Sequence, residues 1–278
     1  MRKALLSAFA FSLLFTSCGM EYTSLNNYGS QGNSGSQSQY SFPYQESQQE
    51  NQQENQQIDR TLPFKGLMIP AYFYDQTLWD KTAGLTVDAV VIVNPDNGPG
   101  QEYDPNYADF IDQLVKNGKV PVGYVYTKWG NRPLEEVERD VDRWISLYPE
   151  IEGFFFDEAS IEEKDASYYK TLADYVRSRG KKVVVLNPGT VPAPVYFDFA
   201  DYVVTYEDSV DNLDGMDYSG FPQKSVCMVY GVEKSNLQDV ENRIRGYCQY
   251  IYLTDDTSPN PYDSLPSYID EEEKAIQE

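Results

Sequence analysis

The sequence predicts a single, compact (β/α)8 barrel of the TIM type. From Thr61 onward, apolar runs of strand length alternate with stretches that carry apolar residues every three or four positions. This alternation is typical of βαβ units around a parallel sheet. Eight apolar runs occur, which is the number of strands in such a barrel. A doubly wound open sheet is the alternative fold.

The predicted strands are the apolar runs themselves, and the predicted helices lie between them. The strands are residues 66–73, 87–94, 119–126, 153–157, 182–187, 202–207, 225–230 and 250–254. Apolar residues at helical spacing predict helices over 106–117, 134–147, 166–179 and 236–246. Gly180 suits the end of the third of these helices. The domain is short for this fold, so we expect short or missing helices after the fifth and sixth strands.

The chain begins with features of a bacterial lipoprotein. Arg2 and Lys3 precede an apolar run that has the length of a signal-peptide core and is too short to span a bilayer. The run ends in Thr16-Ser17-Cys18-Gly19, which resembles the bacterial lipobox. We therefore predict a signal peptide over residues 1–17, lipidation of Cys18 and a lipid-anchored place in the cell envelope, at the outer membrane or cell surface. An ordinary signal peptide with an incidental cysteine is the alternative.

The segment that follows the signal peptide differs in composition from the rest of the chain. Residues 18–60 are rich in Gln, Ser and Asn and poor in residues that could form a core. This composition predicts a disordered tether, with an aggregation-prone segment as the alternative. The domain organisation is therefore a signal peptide, a tether, and a barrel over residues 61–278.

Composition excludes several classes of function. The chain has 22 basic and 44 acidic residues and a formal net charge of −22, which would repel a nucleic acid. It has no histidine, which removes Ser-His-Asp and Cys-His mechanisms and imidazole metal sites. Acid–base chemistry must then use carboxylates, Tyr, Lys or Cys. We expect no metal and no cofactor, and the 24 tyrosines favour a polar, ring-shaped ligand such as a carbohydrate.

Two cysteines lie in the barrel region. Cys227 and Cys248 fall near the starts of the last two predicted strands. In an exported domain these neighbouring positions could form a disulfide. Two buried free thiols explain the pair equally well, so both alternatives stay open.

Acidic residues follow the apolar runs where a barrel carries its catalytic residues. Asp157 and Glu158 directly follow three phenylalanines, and apolar surroundings raise the pKa of a carboxyl group into the range of a general acid. Because strand side chains alternate, only one of the two needs to face the barrel axis. Glu207 ends the sixth strand and supplies the second carboxylate that glycoside hydrolysis requires. A solvated loop residue or a helix cap is the alternative for each acid.

Other polar and aromatic residues near the strand ends are candidates for binding a sugar. Asn94 and Asn187 stand in Pro- and Gly-rich turns, where the amide could bind sugar hydroxyls or simply shape the turn. Trp79 is as easily a core residue as a ligand contact. The candidate binding residues are Asn94, Tyr124, Tyr126, Trp129, Arg132, Asn187 and Asp255.

Taken in order, these segments resemble the spherulation-specific family 4 of glycoside hydrolases. The matching segments are residues 91–100, 123–127 with Arg132, 153–158, 187–190, Glu207, and 254–256 before Pro259-Asn260-Pro261. The resemblance implies a (β/α)8 fold and endo-acting cleavage of galactosamine-containing exopolysaccharide. It also implies that activity depends on Asp157, Glu158 and Glu207, with Asn94, Tyr124 and Asn187 as binding residues.

The function expected from the sequence is that of a surface-anchored endo-glycosidase acting on amino-sugar exopolysaccharide. A partly de-N-acetylated, cationic polymer would be concentrated near so acidic a chain. The alternatives are a catalytically silent glycan-binding lipoprotein and a structural envelope protein. Because a binding module needs no acid–base set, the three strand-end acids favour the enzyme.

Overall fold

A closed barrel of eight parallel strands forms the centre of the domain. The computed structural model describes residues 62–217 and 219–277, so the predicted signal peptide, Cys18 and the tether lie outside the described residues. Neighbouring strands pair in chain order, and the last strand pairs with the first. The strands are β1 (Gly66–Ala71), β2 (Ala89–Val93), β3 (Val120–Tyr126), β4 (Gly153–Asp157), β5 (Val183–Leu186), β6 (Tyr202–Ser209), β7 (Ser225–Tyr230) and β8 (Tyr250–Thr254). The predicted barrel is confirmed, because this closure rules out an open sheet.

The helices follow the strands, as the sequence predicts. They are α1 (Gln76–Gly84), α2 (Pro105–Lys116), α3 (Leu134–Leu147), α4 (Ala166–Ser178), α5 (Tyr196–Phe199), α6 (Leu237–Ile244) and α7 (Ile269–Gln277). After β5 the helix has only four residues, and β6 is followed by a 3₁₀ segment over Val210–Gly215. Both findings confirm the expected shortening. Within the described ranges, none of these helices has the length and apolar character needed to cross a membrane.

Aromatic side chains pack against both faces of β4. Phe154, Phe155 and Phe156 are all buried. Phe155 stacks on Tyr124 of β3, with ring centroids 6.1 Å apart, while Phe154 and Phe156 lie next to each other on the opposite face. Because side chains alternate along a strand, Asp157 continues the face of Phe155. The strand therefore delivers its terminal carboxylate to the inside of the barrel.

Two glycines allow close packing around this strand. A Cβ atom on Gly153 would lie 2.1 Å from the carbonyl oxygen of Val183, so β4 and β5 can approach at this point only without a side chain. A Cβ atom on Gly123 would lie 2.7 Å from the indole of Trp144, which packs α3 against β3. The Trp144 indole also donates to the carbonyl oxygen of Tyr124 at 2.9 Å.

Cys227 and Cys248 form a disulfide, which decides between the two alternatives that the sequence leaves open. Cys227 lies in β7 and Cys248 lies just before β8, with Cα atoms 5.8 Å apart. The bond closes a loop that contains α6. Closing such a loop stabilises a fold by roughly 3 kcal/mol, mainly through the unfolded chain.

Candidate active site

One amide side chain joins two carboxylates inside the mouth of the barrel. Asp157 ends β4, Glu207 lies in β6, and Asn187 directly follows β5 between them. The side-chain nitrogen of Asn187 donates to Asp157 Oδ1 at 2.8 Å and to Glu207 Oε2 at 2.5 Å. An amide nitrogen carries two protons, so it can bind both acids at once. The two carboxylates therefore lie side by side.

Two tyrosine hydroxyls bind the remaining oxygens of the pair. Tyr124 donates to Asp157 Oδ2 at 2.6 Å, and Tyr262 donates to Glu207 Oε1 at 2.8 Å. All four carboxylate oxygens thus accept a hydrogen bond from the protein. Each carboxylate is held in one orientation before any ligand arrives, which is the condition for preorganised catalysis.

Burial raises the pKa of both acids, and the charge of Asp157 raises that of Glu207 further. Burial raises the pKa of Glu207 to about 7, and the nearby charge of Asp157 contributes in the same direction. Burial also raises the pKa of Asp157, against hydrogen bonds from Tyr124, the Glu158 backbone and Asn187 that lower it. Two adjacent carboxylates resist simultaneous ionisation. Asp157 accepts more hydrogen bonds than Glu207, which favours Asp157 as the ionised member of the pair.

Glu158 lies outside the strand, at the start of the loop that follows β4. Its backbone has φ +50°, in the left-handed region that a residue with a side chain rarely adopts. Its carbonyl oxygen accepts hydrogen bonds from the Trp129 backbone at 2.6 Å and the Thr127 hydroxyl at 2.8 Å, which stabilise this conformation. Burial, and then the charge of Asp157, raise the pKa of Glu158, while Lys128 lowers it. Of the two successive acids Asp157 and Glu158, Asp157 is the one that faces the barrel axis, where it binds Tyr124 and Asn187.

Two tyrosines that the sequence analysis did not single out complete the site. Tyr72 directly follows β1, and Tyr262 lies in the loop between β8 and α7. The Tyr72 ring makes edge-to-face contacts with Tyr124 and with Tyr262, each at 5.8 Å between centroids. Tyr72 is not singled out because it lies inside the predicted strand 66–73, whereas β1 ends at Ala71. Tyr262 lies well beyond the end of β8, so a search for polar residues at the strand ends does not find it.

The described barrel matches a known family over almost its whole length. The model of the spherulation-specific family 4 matches residues 66–276. The chain belongs to this family. Spherulin-4 from Physarum polycephalum is 29% identical over 230 residues, which are 76% of this chain and 69% of that protein. The crystal structure of Aspergillus clavatus Sph3 in complex with GalNAc superposes with a TM-score of 0.67 at 23% identity, over 78% of this chain and 98% of that one. This likeness shows the shared fold.

In this family member, three predicted binding residues besides Tyr124 lie on or just after β3. The guanidinium of Arg132 stacks 4.3 Å above the Tyr126 ring, donates to the Tyr126 carbonyl oxygen at 3.0 Å and pairs with Asp140 at 2.5 Å. Arg132 therefore fixes the loop around Tyr126. Trp129 is half exposed and has a left-handed backbone. A substrate contact by any of the three stays a prediction.

Two other predicted binding residues hold loops by hydrogen bonds to backbone groups. The side-chain oxygen of Asn94 accepts from the Gly98 backbone at 2.9 Å and closes the turn after β2. Asp255 is exposed and accepts from the Ser267 backbone at 3.1 Å. Neither residue hydrogen-bonds the bridged pair in the part of the chain that the structure describes. Their role in ligand binding also stays a prediction.

The raised pKa of Glu207 predicts a pH-dependent cost to stability. The ordinary value is 4.5 and the folded value is about 7, so the folded state loses stability as pH rises through that interval. Glu207→Gln removes the ionisation. The Tm of the variant minus that of the wild type should therefore be more positive at about pH 8.5 than at about pH 5, by scanning calorimetry. The exposed Glu233→Gln is the matched control, and an equal difference at both pH values would contradict the assignment.

Proposed function

We propose that this chain is an endo-acting glycoside hydrolase that cleaves amino-sugar exopolysaccharide by carboxylate acid–base catalysis. The observation that carries the proposal is the pair Asp157 and Glu207, bridged by Asn187. The pair stands where (β/α)8 barrels carry their catalytic residues. Two carboxylates with unequal tendencies to hold a proton are what glycosidic bond cleavage needs.

The hydrogen bonds around the pair assign a role to each acid. Glu207, protonated near neutral pH, donates its proton to the glycosidic oxygen as the leaving group departs. Asp157 stays ionised and stabilises the positive charge that develops at the anomeric carbon. Tyr262 and Asn187 then stabilise the new Glu207 carboxylate, which acts as the base toward the incoming water.

The short separation of the acids favours retention of anomeric configuration. One oxygen of each acid binds the same nitrogen, at 2.8 and 2.5 Å, so these two oxygens are at most 5.3 Å apart. Inverting enzymes leave about 6.5–9.5 Å between their carboxyl groups for a water molecule. Retaining enzymes place their carboxyl groups about 5–5.5 Å apart. Retention is expected whether Asp157 attacks the sugar itself or supports attack by a 2-acetamido group.

A cavity beside the pair supports the substrate class. It has a volume of about 460 Å³ and is lined partly by Gly189 and Asp208, which closely follow Asn187 and Glu207 in sequence. Asp211 and Asp217 add carboxylates that could attract a protonated amine. Its lining residue Gly189 lies next to Glu207, since a Cβ atom on Gly189 would be 4.0 Å from Glu207 Cβ. The cavity is therefore a candidate site for a further sugar unit, as an endo-acting enzyme requires. The GalNAc bound to Sph3 supports an amino sugar as the ligand.

Hydrolysis is tested by reducing-end release with the full chain. The panel contains α-linked galactosamine polymer, its N-acetylated form and β-linked glucosamine polymer. We expect one of them to be cleaved, with kcat at least about 100-fold lower in Asp157→Asn, Glu158→Gln and Glu207→Gln. The exposed Asp239→Asn is the control, and proton NMR should show the retained anomer first.

Three other outcomes of this experiment would change the proposal. Saturable binding of one polymer without cleavage would replace the hydrolase with a glycan-binding protein. Neither binding nor cleavage of any amino-sugar polymer would contradict the proposed substrate class. Release of the inverted anomer would contradict the assigned geometry alone.

The acidic cavity predicts a salt-dependent preference for cationic polymer. Asp211→Asn combined with Asp217→Asn should raise KM for the de-N-acetylated polymer several-fold at low ionic strength, because it removes two attracting charges. The difference should vanish in about 1 M salt, where charges are screened within a few ångströms. KM for the fully acetylated polymer serves as the internal control. An equal rise in KM for both polymers would show that these two carboxylates do not select for a cationic polymer.

We further propose that Cys18 anchors the enzyme to the cell envelope through a lipid. The proposal rests on the signal-like segment, which the cysteine follows directly. In a bacterial host, the wild type should fractionate with membranes and incorporate labelled fatty acid. Cys18→Ser should abolish the labelling, and an unchanged labelled product would contradict the proposal.

A further inference from the structure

Tyr72 presents a hydroxyl in the cleft that no described residue of the protein binds. Its neighbours Tyr124 and Tyr262 both use their hydroxyls to hold a carboxylate. Tyr72 makes only ring contacts with them, with both interplanar angles at 87°. The Tyr72 residue as a whole is partly exposed to solvent. A hydroxyl can donate one hydrogen bond and accept two, so this group is available to a ligand.

The surroundings of Tyr72 keep this hydroxyl protonated and close to both acids. Burial raises its pKa well above 10, and the charges of Asp157 and Glu207 raise it further. The hydroxyl is therefore a hydrogen-bond donor at every pH at which the pair can work. The two edge-to-face contacts fix the ring without engaging its polar end. A fixed donor near a reacting centre needs little ordering when a ligand binds.

We propose that Tyr72 is a substrate-binding residue, whose hydroxyl donates a hydrogen bond to an oxygen of the hexosamine unit lying over Asp157 and Glu207. The proposal rests on the proposed function in assuming an amino-sugar ligand at this pair. Tyr72 packs between the two tyrosines that hold the acids, so its donor reaches the same sugar unit that the acids reach. It fixes the position of that unit while the acids act on the bond.

A role in packing is the competing explanation, and two variants separate it from ligand binding. Tyr72→Phe keeps the ring and its contacts with Tyr124 and Tyr262 but removes the hydroxyl. Tyr72→Leu removes both the hydroxyl and the ring. Tyr74→Phe is the matched control, because this nearby hydroxyl donates to Asp104 at 3.0 Å and contacts neither acid.

The test measures both binding and turnover with the full chain. A GalNAc oligosaccharide is titrated calorimetrically into Glu207→Gln, with and without Tyr72→Phe, and kcat and KM are measured in the otherwise wild-type background. We expect Tyr72→Phe to weaken binding and lower kcat/KM by about tenfold, the effect of one lost hydrogen bond, with an unchanged Tm. Tyr74→Phe should match its parent in both measurements.

The outcomes distinguish this proposal from the proposed function. Full binding and turnover in Tyr72→Phe, with loss only in Tyr72→Leu, would overturn the proposal and assign the ring a packing role. Weakened binding in a chain that never cleaves the sugar would support Tyr72 and overturn the hydrolase. If the parent binds no GalNAc oligosaccharide, the Tyr72 proposal fails, whereas cleavage of another polymer of the panel would leave the hydrolase standing.

Discussion

The site depends on the amide of Asn187, which is a neutral donor to two buried acids. A lysine or arginine in its place would also bind both carboxylates, but a positive charge would lower both pKa values and leave no proton to donate. An apolar residue would leave two buried carboxylates with unsatisfied oxygens, which is costly. The amide satisfies both acids and leaves desolvation to raise the pKa of Glu207 to about 7. The hydroxyls of Tyr124 and Tyr262 are likewise neutral donors, and they bind the carboxylate oxygens that Asn187 does not bind.

The barrel places this amide through the backbone of β4 and β5. The Asn187 backbone donates to Phe156 and accepts from Ala159, each at 2.9 Å, so it continues the ladder past the last paired residues. Its side-chain oxygen accepts from Gly189 at 3.0 Å, which orients the nitrogen toward the acids. At the other end of the strand pair, the absent side chain of Gly153 lets β4 meet β5. The register set there brings Asn187 next to Asp157.

The strands could be predicted from sequence because they are short, apolar and buried, and the acids could be predicted because they end those strands. The helix α7 lies outside the predicted helices, since one of its three buried residues is Glu272, an acid in a core position. Asn187 is predicted as a sugar-binding residue, yet its side chain binds two acids. Nothing in the local sequence indicates this, because Glu207 approaches from another strand. Tyr262 is likewise brought in only by the closed fold.

The donors to the pair that the structure describes carry no positive charge, which also bears on the substrate. A protonated amine directly over Glu207 would lower its pKa and reduce the fraction that carries the catalytic proton. In the cavity lined by Asp208, Asp211 and Asp217, the same amine would lie near carboxylates to which no proton transfer is assigned. For the proposed hydrolase, we therefore expect a neutral, N-acetylated unit at the point of cleavage and free amines further along the cleft. A partly de-N-acetylated polymer would satisfy both requirements, because it offers a neutral unit for cleavage and cationic units for attraction.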